Sequence, residues 1–334
     1  MRVTVVRPEE LGAGEEKLWR EFQDLSPAGA HPCLSLPYAR AAARMDESGR
    51  VAVVEDGGTI AAFIPYSEEA GGIAGTLGGT SAALDGFVSS DAAIDLRAAI
   101  RSAGLRGWRF SRAPLGQRAL DPYRYQGSYH TNFIYFADLR GGYDAYKGGL
   151  AKGGRNEIKG AARRRRALEG KVNEIRLEWA SHNPAHLSLL LDWKSKQFPS
   201  YGKWLSSPAN NALVRELATI DDADCAAVTS VLYANAKPIS FILSLQRGRI
   251  LSQWIASYDP EYASYSPGTN HMLAMFAAAA ESGVEIVDFG YGVDAYKPRF
   301  ASGADTVGGG GVWASRLGGA ARSLYRNARF RTGR

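Results

Sequence analysis

The chain is poor in cysteine and histidine, with two of the first and five of the second among 334 residues. Cys33 and Cys225 lie far apart, with no CxxC pair and no histidine at ligand spacing. Neither a disulfide framework nor a zinc site has support, and both read as small buried apolar side chains. His31, His130, His182 and His186 form no metal set. His271 opens a helix without a serine or cysteine partner at triad-like spacing, so it reads as a surface or cap residue. No tightly bound cofactor and no metal is expected. A run of eighteen apolar residues is lacking, which excludes an apolar spanning helix from the expectations. The opening MRVTVVRPEELGAGEE has no apolar signal core, and the expected location is the cytoplasm.

What is present is ordinary for a globular protein: 45% apolar and 22% charged residues. The length suggests two domains, each able to bury a core. The net charge of +6 is unevenly placed. Between Lys152 and Lys171, the cations Lys152, Arg155, Lys159, Arg163, Arg164, Arg165, Arg166 and Lys171 face only Glu157 and Glu169, and the tail from Arg316 to Arg334 holds no acid. Such clusters attract phosphates of coenzyme A, RNA or a membrane surface, or are solvated faces. They carry no interleaved aromatics for base stacking, so no sequence-reading DNA partner is expected.

Arg50 to Pro65 reads as two apolar runs around Asp56-Gly57-Gly58, a hairpin signal, and Thr229 to Leu245 repeats the plan around Asn235-Ala236-Lys237. A helical stretch precedes each hairpin, at 37–45 and 213–220. This suggests a divergent duplication, with domains at 1–140 and 141–315 and a basic tail at 316–334. Within the second, 143–168 reads as helix, 176–179 as strand, and 186–198 as a helix stopped by Pro199. Strands are expected at 249–258 and 284–289, with an Ala-rich helix at 272–281 ended by Gly283. The fold class is α/β, or α+β: mixed, mostly antiparallel sheets flanked by helices. An apolar strand–loop–helix–strand frame with Tyr, Asp, Lys and Arg at its open ends, from Tyr258 to Phe300, is where a ligand site is expected.

At three places the sequence resembles the CelD-like branch of the GNAT acyltransferase superfamily, relatives of the FemABX aminoacyltransferases. They are Leu191-Asp-Trp-Lys-Ser-Lys-Gln-Phe198, the Tyr-Asp-Pro-Glu-Tyr-Ala-Ser-Tyr-Ser-Pro-Gly loop from Tyr258, and Asp288-Phe-Gly-Tyr-Gly-Val-Asp-Ala-Tyr-Lys-Pro-Arg-Phe300. The resemblance implies tandem GNAT-like domains, the second carrying the chemistry. It implies transfer of an acyl group from acyl-CoA or aminoacyl-tRNA, as co-substrate, to an amine of a small metabolite or envelope precursor. It also allows a catalytically silent binding protein. The family's pyrophosphate loop corresponds here to Tyr265, Ser266, Gly268, Thr269 and Asn270, where only Gly268 keeps the pattern and Pro267 has no N–H to give.

Acyl transfer needs a route for the amine proton and an anchor for the donor. Asp294, Tyr296 and Lys297 are the candidate catalytic residues; Asp288, inside a strand, reads as structural. Lys194, Gln197, Gln253, Trp254, Tyr258 and Arg299 are candidates for substrate contact. Strand alternation sends Gln253 and Trp254 to opposite faces, so one of them is expected in the cleft. Arg155, Lys159, Arg163, Arg164, Arg165 and Arg166 are candidates for phosphate or tRNA contact.

Overall fold

The computed structural model describes residues 1–79, 83–90, 93–125, 133–292 and 294–315; His130 and the tail 316–334 lie outside the described residues. The chain forms two compact units. One comprises Met1–Ile134 and the chain from Asp305 onward, the other Tyr135–Ala304.

The first unit begins with β1 (Arg2–Val6), α1 (Ala13–Asp24), α2 (Leu36–Arg44), β2 (Gly49–Asp56) and β3 (Thr59–Glu69). It continues through β4 (Ile73–Gly75), β5 (Val88–Ser89), α3 (Leu96–Ser102) and β6 (Gly107–Pro114). The Asp56-Gly57-Gly58 signal is the turn of the β2–β3 hairpin, with Asp56 opposite Thr59. Trp19 and Phe63 stack at 4.9 Å between ring centres, and Trp108 packs against Phe87 and Phe110.

The second unit holds β7 (Phe133–Asp138), α4 (Gly142–Gly149), α5 (Lys152–Glu169), β8 (Ile175–Glu178), α6 (Pro184–Gln197), α7 (Pro199–Leu205) and α8 (Pro208–Leu217). Then come β9 (Ala226–Ala234), β10 (Lys237–Arg247), β11 (Ile250–Tyr258), α9 (Pro267–Glu281), β12 (Ile286–Tyr291) and α10 (Lys297–Phe300). The single helix expected over 143–168 is two helices, because Gly148-Gly149 is a poor helix interior and Leu150 turns extended. The strand order is β7-β12-β11-β10-β9-β8. The pairs β8–β9, β9–β10 and β10–β11 are antiparallel, and β11–β12 is parallel.

Strand alternation sorts the core into two layers. Ile242, Leu251 and Val287 pack with Met272, Met275 and Phe276 of α9 and with Ala161 of α5. Phe241, Leu243 and Ile255 pack on the other face with Leu190, Leu191, Leu205 and Val214 of α6, α7 and α8. Being covered on both sides, β10 reads as a nearly unbroken apolar run.

The final strand, β13 (Gly303–Trp313), returns to the first unit and pairs antiparallel with β6, from Val307 opposite Pro114 to Trp313 opposite Gly107. Residues 305–315, placed by the sequence in the second domain, therefore belong to the first. The cause is a non-local strand pairing that no local pattern announces.

Candidate functional site

The parallel pair β11–β12 has a short common register: Ile250 with Ile286, Leu251 with Val287, and Ser252 with Asp288. The strands still touch at Gly290, where an added Cβ would lie 2.8 Å from the Gln253 carbonyl oxygen, in a backbone with φ +71 that favours glycine. Beyond it β11 runs on to Tyr258, and among the described residues no strand pairs with it on that side, so the sheet opens as a wedge.

A β-bulge lies at the same point. Leu243 of β10 pairs with Ile255 and the next residue, Ser244, with Gln253, which leaves Trp254 unopposed. Gln253 is buried on the α9 side, where its amide approaches the Met275 sulfur at 4.0 Å. Trp254 packs with the α6–α8 cluster. The two thus face opposite layers.

The chain leaves the wedge through a 3-10 turn, Pro260–Tyr265, which Asp259 caps by accepting from the Glu261 N–H at 3.0 Å. It then enters α9. Ser266, at φ 52 in the left-handed region, precedes the helix, and Pro267 takes its first position. The Asn270 N–H bonds the Ser266 carbonyl, and the Asn270 amide donates to the Tyr265 carbonyl at 2.9 Å. Gly268 and Thr269 remain as the first-turn donors at this positive helix end, and Gly268 lies against Tyr258, whose ring would be 3.3 Å from an added Cβ. Asn270 and Tyr265 shape the loop, so a phosphate would meet two backbone N–H groups.

Lys297 is a pinned residue. It is 3% exposed, and its ammonium donates to the carbonyls of Gly290 at 3.1 Å and Tyr291 at 3.0 Å while pairing with Asp294 at 3.1 Å. Three donors meet three acceptors, which ties the end of β12 to α10. Asp294, with a side chain 66% exposed, and Tyr296, 41% exposed, stand at the surface beside it. Asp288 accepts from the Gly290 N–H at 2.7 Å and shapes the same strand end. Arg299 pairs with Glu157 of α5. Gly154 lets α5 approach that turn, since a Cβ there would sit 2.1 Å from the Arg299 carbonyl oxygen.

Gln197 fastens α6 to β11: its amide nitrogen donates to the Tyr258 carbonyl, and its oxygen accepts from the Ser257 hydroxyl at 2.8 Å. Lys194, one turn earlier, is different. It is half-buried, and its ammonium lies 4.1 Å from the Phe198 ring centre and 5.4 Å from that of Tyr201, with no ion pair or hydrogen bond among the described residues. Burial pulls its pKa below the usual lysine value, Asp294 opposes that shift, and the Lys297 charge adds to it. Beside it the Tyr201 hydroxyl is buried without a partner, and burial pushes its pKa up. The sequence did not single out Phe198 or Tyr201; the signal was their spacing of four and seven from Lys194 across the Pro199 helix break.

His271, expected at the surface or as a cap, is fully buried. Its Nδ1 lies 3.0 Å from the Ser240 hydroxyl and its Nε2 3.0 Å from that of Ser230. Its helix position points inward, and two strands distant in sequence supply its partners. The basic run is split by its helix. Arg155, Lys159, Arg163 and Arg166 are exposed, whereas Arg164 and Arg165 are half-buried and Arg165 pairs with Glu169 at 3.0 Å. Among the described residues, no helix is long and apolar enough to cross a membrane.

The family model described as an acetyltransferase (GNAT) domain matches residues 155–298. No curated protein matches the chain. Among solved structures, that titled "Crystal structure of FemX" is similar with a TM-score of 0.58 at 11% identity, covering 92% of this chain and 97% of that one. A conserved protein of unknown function from Bacteroides thetaiotaomicron VPI-5482 is similar with a TM-score of 0.57 at 10% identity, covering 91% and 98%. At such identities the likeness is one of fold. The matched segment lies in the second unit and spans the wedge, the α9 entrance and the Lys297 turn, so it is this part of the chain that matches the GNAT acetyltransferase domain, and the chain as a whole has a fold like that of FemX.

Proposed function

We propose that the second unit moves an acyl group from an acyl-CoA thioester to an amine, forming an amide. The observation that carries this reading is the wedge between β11 and β12, with a bulge at Trp254 on one wall and the positive end of α9 beyond it. A bulge takes a residue out of the ladder, so the main chain at Trp254 can offer a donor to the acyl carbonyl as charge develops on its oxygen. The two N–H groups of Gly268 and Thr269 suit one phosphate of the donor.

Lys194 is the proton acceptor in this reading. Desolvation makes its neutral form more accessible than that of an exposed lysine, and among the described residues no hydrogen bond or ion pair holds its nitrogen. The acceptor arrives as an ammonium and gives one proton to neutral Lys194. The freed amine attacks the thioester carbon, a C–N bond forms, and the C–S bond breaks with its electron pair going to sulfur. The second nitrogen proton neutralises the thiolate. Asp294 and Tyr296 line the acceptor side, and Lys297 keeps them in place.

The test is thiol release by the purified protein across a panel of acyl-CoAs and amines. Lys194→Met should lower kcat by about 100-fold or more, as loss of a proton acceptor does, while KM for the donor changes little. Wild-type protein that releases no thiol with any pair, or a Lys194→Met variant at full rate, would overturn the reading.

A further inference from the structure

The outer side of α5 is a stripe of cations. Lys152, Arg155, Lys159, Arg163 and Arg166 follow one another at steps of three and four residues, which places them along one face of a helix, and all five are exposed. The row is about 21 Å long at the helical rise. The opposite side, Gly154, Ala161 and Leu168, is buried. Acid is kept off the stripe, because Glu157 is held by Arg299 and Glu169 by Arg165. Arg155 donates to the Leu150 carbonyl; Lys152, Lys159, Arg163 and Arg166 have no ion pair among the described residues.

Like charges at these spacings oppose the helix that carries them, and a polyanion removes that repulsion. The flanks of the stripe are Asn156, Ala162 and Ala167. They offer no large apolar side chain to enter a bilayer and no aromatic to stack on a base. A straight row of charge without apolar flanks fits a linear series of phosphates. We propose that the outer face of α5 docks the phosphodiester backbone of a nucleic acid without reading its sequence. This inference does not depend on the acyl-transfer reading.

The test measures binding of fluorescein-labelled poly(U) by anisotropy as a function of salt. A single strand releases counterions with a slope of about −0.7 per phosphate contact, so five contacts give a log–log slope of about −3.5. Lys159→Glu with Arg163→Glu should weaken binding by at least about ten-fold and flatten the slope by about 1.4. Lys17→Glu with Arg20→Glu, the same charge change on the exposed face of α1, should leave affinity within about two-fold. Lys159→Gln with Arg163→Gln gives the same comparison if circular dichroism shows the reversed pair misfolded. Undetectable poly(U) binding, an equal loss in the α1 variant, or tighter binding to phosphatidylglycerol vesicles than to poly(U) overturns the proposal.

Discussion

Acid should destabilise the second unit through His271. In the fold this imidazole is enclosed between the Ser240 and Ser230 hydroxyls, and burial pushes its pKa down to about 3. In the unfolded chain an ordinary histidine titrates near 6.5. The unfolded state therefore binds the proton first, and stability is full above about pH 6.5 and falls as pH drops toward about 3, at about 1.4 kcal/mol per pH unit. Between about pH 7 and pH 5 the integrated loss is about 2 kcal/mol. The assay is denaturant unfolding at several pH values, followed in parallel for wild type and His271→Asn. The variant starts less stable, having lost packing and a fitted hydrogen-bond geometry, but its stability should fall less steeply over this window. If the two slopes coincide, His271 either titrates normally or is not enclosed, and the reasoning fails.

Lys297→Met strands the Gly290 and Tyr291 carbonyls, whose bonds to a charged donor are worth about 1.5–3 kcal/mol each. Relief from desolvating the ammonium offsets part of this, so a net loss of about 2–4 kcal/mol is expected in the same unfolding assay; a loss below about 1 kcal/mol contradicts the pinned role. The exposed Asp294 partner adds little. Gly154→Ala should destabilise by about 1–3 kcal/mol despite alanine's better helix propensity, because the methyl meets the Arg299 carbonyl. Gly153→Ala, with nothing within 4 Å, is the matched control and should be neutral or stabilising. Thermal melts of the two variants decide it: equal melting temperatures would mean that α5 and the α10 turn are not in close contact.

The mixed sheet class and both hairpins were legible because turn chemistry is local: Asp56-Gly57-Gly58 and Asn235-Ala236 fall at the strand ends they were expected to join. Sequence alone started α9 at Met272, whereas it begins at Pro267, since a proline costs nothing at a first helical position. The site was legible as a segment but not as roles. Lys297 and Lys194 are the same residue type near the same wedge, yet among the described residues one has every donor engaged and the other none in a hydrogen bond or ion pair. That difference depends on carbonyls and rings brought together by the fold. The basic run was separable in principle: helical phase alone divides Arg163 and Arg166 from Arg164 and Arg165.

The return of β13 sets an order of events during synthesis. The first unit is built mainly from residues 1–134, yet its strand partner for β6 leaves the ribosome only after the whole second unit. Until then β6 has one edge without that partner, and an open edge is where strands pair wrongly. The second unit, continuous from Tyr135 to Ala304, has all its residues out beforehand. The domain made first is thus completed last. A stop codon just before Gly303 would damage the fold of a unit whose other strands were made long before.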